Sequence, residues 1–82
     1  MRLFLTREAQ NQYSKLIQSD RHKIDKKLRL IISNPYTGKK LSGEHEGENT
    51  LRAWPYRIIY VIFTLRKEIW VTSILHRQGA YK

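Results

Sequence analysis

Apolar and polar positions follow two different periods along the chain. Leu3, Phe4 and Leu5 form a short apolar run that predicts a first strand. Thr6 then suits a helix N-cap, because its hydroxyl can accept from a first-turn N–H, and Glu8 sits where the helix dipole favours negative charge. Ala9, Tyr13, Leu16 and Ile17 follow at helical spacing, and Gln18-Ser19-Asp20 interrupts them, with Ser19 or Asp20 available to cap a second helix. In that helix Ile24, Leu28, Ile31 and Ile32 make one apolar stripe, while Arg21, Lys23, Lys26, Lys27 and Arg29 occupy most of the remainder. Asn34-Pro35 stops it, since the proline ring disfavours helical geometry at the residue before it. Residues 35–47 read as loop, with Gly38, Gly43 and Gly47.

From Asn49 the period becomes two. Thr50 to Trp54 is a candidate strand, Tyr56 to Phe63 a strong one, and Glu68 to Leu75 another. Leu65-Arg66-Lys67 suits a hairpin turn, although it lacks Gly or Asn. Short connections make these an antiparallel meander. The prediction is an α+β fold: strand, helix, helix, then a three-stranded antiparallel meander, with the helical hairpin packed on one face of the sheet. Along the longest apolar strand Ile58, Tyr60 and Ile62 share one face, and Arg57, Ile59, Val61 and Phe63 share the other. Arg57 marks its face as the one left open.

Length and composition narrow the class. The 82 residues, with no linker or repeat, read as a single domain spanning 1–82. The chain has no cysteine, so thiol nucleophiles, thiolate–metal sites and disulfides are excluded, and a reducing cytoplasm is the expected compartment. Met1 to Leu5 is too short for a signal peptide, and the longest apolar stretch, Ile58 to Phe63, falls far below the roughly 20 residues of a membrane span. Sixteen Lys and Arg against seven Asp and Glu give a net charge of +9. Such a field on a small body draws polyanions: nucleic acid first, an acidic protein second.

His22, His45 and His76 lack metal-ligand spacing, and Glu44, Glu46 and Glu48 alternate in a glycine-containing loop as a solvated stretch does, so no metal or other cofactor is expected. What remains is cationic and aromatic: Arg52, Arg57, His76, Arg77 and Tyr81. The meander brings the start of the second long strand towards the end of the last, so Arg57 and Arg77 can meet at one end of the sheet. Two guanidiniums there would clamp a phosphate and neutralise a developing phosphorane. RNA carries its own nucleophile, the 2′-hydroxyl, so such an enzyme needs only to align it, stabilise charge and move protons. Tyr81 or His76 would carry the proton. The bland alternative is that each arginine is a solvated surface residue and Tyr81 a ring closing the core.

The run Tyr56-Arg57-Ile58-Ile59-Tyr60, followed by His76-Arg77 and Tyr81, resembles the RelE/ParE toxin superfamily. Pro35-Tyr36-Thr37-Gly38, Leu41-Ser42-Gly43 and Leu51-Arg52 extend the resemblance over nearly the whole chain. It implies a RelE-like fold and the toxin half of a toxin–antitoxin pair. RelE-like members cut mRNA in the ribosomal A site, and their catalytic residues would fall here on Arg57, Arg77 and Tyr81. Lys26, Lys27, Lys39, Lys40, Arg52 and His76 would contact RNA. The implied partners are an acidic or amphipathic antitoxin, forming a hetero-oligomer, together with the ribosome and mRNA; no membrane is implied. ParE-type members share the fold but inhibit DNA gyrase, which is the alternative activity. Two features depart from the RelE pattern: Glu48 and Thr50 stand where lysines precede the Leu-Arg pair, and the carboxylate base of YoeB-like members has no counterpart.

Overall fold

The computed structural model describes residues 1–41 and 47–77. Its elements run β1 (Arg2–Leu5), α1 (Arg7–Ser14), α2 (Gln18–Ser33), a 3-10 turn (Pro35–Thr37), β2 (Lys39–Lys40), β3 (Asn49–Ala53), β4 (Tyr56–Phe63) and β5 (Glu68–His76). The sheet order is β1-β5-β4-β3-β2. The meander β3-β4-β5 is antiparallel as expected. Two features enlarge it. β1 joins β5 in parallel, and Lys39–Lys40, within the segment read as loop, pairs with Asn49 and Thr50 as a two-residue edge strand.

Thr6 caps α1 as its position predicts: its hydroxyl accepts from the Ala9 N–H and donates to the Thr72 carbonyl. The helix closes at Ser14, earlier than the run to Ile17 suggested, and α2 begins at Gln18 with Ile17 at the cap position and no side-chain cap. Ser19 and Asp20 therefore lie inside the first turn of α2, where the Asp20 carboxylate still meets the positive end of the dipole. Arg21 donates to the Ser14 carbonyl at 2.7 Å, satisfying an acceptor left over at the end of α1. Tyr13 donates to Asp25 at 2.8 Å, so the hairpin seam is polar as well as apolar. That hydrogen bond, with burial, raises the Tyr13 pKa above its ordinary value.

One side of the sheet holds the core: Ala9, Ile24, Ile31, Ala53, Ile58, Tyr60, Ile69, Val71 and Ile74. At about 100° per residue Ile31 falls within roughly 20° of Ile24 but Ile32 roughly 80° away, which explains why Ile32 is exposed despite belonging to the expected stripe. Along β5, Ile69 and Val71 share the core side with Ile74, although odd and even positions of a regular strand face opposite ways. A bulge resolves this. Ile59 pairs with Ser73 and Tyr60 with Val71, which leaves Thr72 as the extra residue. Beyond the end of β1, α1 covers the edge of β5: the Gln12 side-chain carbonyl accepts from the Ile74 N–H. The turn before β5 puts Lys67 at φ 56°, a left-handed conformation that the missing Gly or Asn would have adopted more readily.

Tyr60 is fully buried, and its hydroxyl ties the segment after α2 to the sheet. It donates to the Pro35 carbonyl at 2.8 Å and accepts from the Gly38 N–H at 3.0 Å. A side chain at position 38 would collide with that hydroxyl and with the Thr50 carbonyl, so glycine is required by proximity. Burial raises the Tyr60 pKa, opposed by the Gly38 N–H, which favours the phenolate. The folded state thus holds this proton more tightly than the unfolded chain. The resulting stability is complete below the ordinary tyrosine pKa of 10.0 and is lost as pH climbs through the raised folded value. Tyr60→Phe should lower unfolding free energy by about 1–3 kcal/mol in urea melts at pH 7, because two partly buried partners lose their hydrogen bond to a buried hydroxyl. The variant should also lose part of the wild-type decline in stability above pH 10.

Candidate functional site: a cationic hairpin end

β3 and β4 are joined by a tight turn at Trp54–Pro55, and most of the expected chemistry gathers around it. Arg52 and Arg57 are direct cross-strand partners. Both point to the face that the helices leave uncovered, since their neighbours Leu51, Ala53, Tyr56 and Ile58 belong to the core side. Like charges directly opposite on an antiparallel pair repel, and an anion seated between them reverses the sign.

These arginines share an open hollow of about 410 Å³ with Thr37, Lys39, Thr50 and Leu51. Lys39 arrives there because Tyr60 anchors the preceding turn and β2 pairs with Thr50. Thr50 is buried, and its hydroxyl makes no hydrogen bond among the described residues, so a buried polar atom lines a cationic hollow. Lys40 continues the same edge strand.

Arg77 follows β5 directly, and its N–H donates to the Pro55 carbonyl at 2.8 Å, which fixes it beside the hairpin turn. Its guanidinium carbon lies 4.9 Å from the centre of the Trp54 ring. Arg57, two residues back along the register, pairs across from Leu75. The two arginines of the expected clamp therefore occupy the same end of the sheet, Arg57 beside Arg52 and Arg77 upon Trp54. His76 pairs with Tyr56 and meets its ring edge-on, with centroids 5.4 Å apart. Tyr56 donates to Asp20 at 2.9 Å, which links the hairpin to α2. Burial first, and then that hydrogen bond, raise the Tyr56 pKa, so this phenol stays protonated at neutral pH and is no base. Lys26 and Lys27 lie on α2, on the other flank of the turn, in a second hollow with Lys23, Leu30, Ala53 and Trp54. Tyr81 lies outside the described residues, as do Glu44, His45 and Glu46.

Two contributors were missed by reasoning from sequence. Thr50 is an unremarkable strand residue whose burial follows from β2, and β2 itself lay in a presumed loop. Trp54 carried a usable signal: a tryptophan beside proline in a tight turn, between two arginines, has no core position to fill.

The model of a family described as the ParE toxin of type II toxin–antitoxin systems matches residues 3–81. No curated protein matches the sequence significantly. Among solved structures, the toxin–antitoxin complex RelBE2 from Mycobacterium tuberculosis contains a chain 22% identical, with a TM-score of 0.85, covering 93% of this chain and 96% of that one. A YoeB/ParE toxin from Agrobacterium tumefaciens is 19% identical, with a TM-score of 0.82 and coverage of 93% and 98%. The isolated RelE toxin of E. coli is 24% identical, with a TM-score of 0.79 and coverage of 92% and 82%. At these identities the likeness is one of fold. Arg52→Ala should weaken binding of single-stranded polyanions and flatten the slope of log affinity against log salt by about 0.7, the share of one phosphate contact. Titrations at several salt concentrations measure both.

Proposed function

Since the chain belongs to the ParE toxin family of type II toxin–antitoxin systems, we propose that its toxic act is metal-independent cleavage of mRNA in the ribosomal A site. The RNA 2′-oxygen attacks the adjacent phosphorus, the bond to the 5′-oxygen breaks, and a 2′,3′-cyclic phosphate results. One proton leaves the 2′-hydroxyl and another is given to the departing 5′-oxygen. Arg57 and Arg77 hold the scissile phosphate and stabilise the charge that grows on it. Tyr81 takes part in proton transfer or stacks on a base. Lys26, Lys27, Lys39, Lys40, Arg52 and His76 contact RNA.

The observation that carries this reading is the cross-strand pair Arg52–Arg57 on an uncovered face, in one hollow with Lys39 and with Arg77 at the same end of the sheet. A phosphodiester is the ligand whose charge and bidentate geometry answer such a cluster. Tyr81 follows Arg77 by four residues, near enough in sequence to serve the same centre. The cognate antitoxin would be an acidic or amphipathic chain, and the cytoplasm the working compartment; the M. tuberculosis neighbour is itself a complex with its antitoxin.

A second reading draws on the family match itself, which is to ParE. By the resemblance, ParE-type members inhibit DNA gyrase. The target separates the two. Induced expression followed by primer extension should reveal new mRNA 5′ ends for a nuclease, whereas stabilised gyrase–DNA breaks and an SOS response belong to a gyrase inhibitor. Arg57→Ala and Arg77→Ala should remain folded by circular dichroism and lose cleavage by about 10²–10³-fold each, the usual effect of removing one charge-stabilising donor. Full toxicity in a folded Arg77→Ala protein would overturn the assignment.

A further inference from the structure

On the α2 side of the hairpin turn lies a hollow of about 450 Å³ whose lining is half cationic and half apolar. Lys23, Lys26, Lys27 and Leu30 come from one face of α2, and Ala53 and Trp54 from the hairpin. Trp54 is 56% exposed, although an indole is among the most favourable groups to bury. One part of its ring carries the Arg77 guanidinium. Trp54 lines the hollow and Arg77 does not.

We infer that this hollow is a nucleotide subsite, in which one base of single-stranded RNA stacks on Trp54 while the flanking phosphates meet Lys23, Lys26 and Lys27. The inference rests on the RNA reading above and extends it to the path of the strand beyond the scissile phosphate.

Three observations favour this occupant. An aromatic floor within a cationic rim matches a polymer that alternates flat bases with charged phosphates. Lys26 and Lys27 form no ion pair among the described residues, and Lys23 holds only a long contact with Asp20, at 3.8 Å, whose carboxylate keeps the Tyr56 hydroxyl as a partner. The hollow is also short. Lys23 to Leu30 covers about 10 Å along the helix, enough for one nucleotide and its flanking phosphates but not for an amphipathic helix. Continuity adds to this. Trp54 lies two residues beyond Arg52 on the same strand and turn, roughly 7 Å along the chain, so a strand leaving the arginine hollow reaches Trp54 around the hairpin end.

The test measures binding, with 2′-O-methyl RNA oligonucleotides that lack the nucleophile and cannot be cleaved. In a Trp70→Phe background Trp54 is the remaining indole of the two in the chain. Its fluorescence should be quenched by the RNA, and much less by an abasic oligonucleotide of equal length. Trp54→Ala should weaken RNA binding by roughly 5- to 100-fold more than it weakens abasic binding, the range of one lost base stack, with any loss shared by both oligonucleotides reporting the Arg77 contact. Trp54→Phe, which keeps an aromatic face, should recover most of the loss. Equal affinity of wild type and Trp54→Ala for RNA would overturn the subsite. So would quenching by poly-glutamate but not by RNA, which would assign the hollow to an acidic polypeptide. Cleavage enters none of these readouts. A protein that stacks RNA on Trp54 yet never cuts it would refute the nuclease and keep the subsite, and one that cuts without quenching would do the reverse.

Discussion

The cationic site depends on a single buried phenol. Tyr60 sits on the core face of the central strand, and its hydroxyl reaches the turn that follows α2, bonding Pro35 on one side and Gly38 on the other. Without that bridge nothing in the local sequence obliges Lys39 to run beside Thr50. The segment from Pro35 onward has no apolar periodicity, and two residues of strand pairing cannot hold it alone. The cationic cluster at the uncovered face is therefore built from the opposite side of the sheet, through the closeness of approach that the absence of a Cβ at Gly38 permits.

Alternation along β4 supplies the second requirement. Ile58 and Tyr60 take the helices, which leaves Arg57 and Ile59 outside. Since β3 repeats the pattern with Leu51 and Ala53 inward, Arg52 has no other direction to take, and the two arginines face each other by register. An anion bound between them would be attracted by both charges.

The division between what the sequence disclosed and what it hid has physical causes. Helices and long strands were legible because burial imposes a period, and Thr6 was legible because capping needs a hydroxyl at one position. The partner of β1 was hidden, since parallel pairing with a strand more than sixty residues away leaves no local mark. β2 was hidden because two lysines on an edge look like any solvated pair. At the site, the meander already put Arg57 and Arg77 at one end of the sheet, whereas the cross-strand pairing of Arg52 with Arg57 was not legible. Arg77 is set upon Trp54 by a backbone bond to Pro55, an arrangement that only the folded hairpin reveals.

The extra residue at Thr72 acts as a phase shift. Upstream of it β5 is read in one parity and downstream in the other, so Ile74 joins the core only because one position is spent without a partner. The length of this strand is consequently as constrained as its composition. Deleting Thr72 or Ser73 would send Ile74 outward and bring a different side chain beneath α1, and every position after it, including the arginine beside the hairpin, would emerge on the wrong side of the sheet.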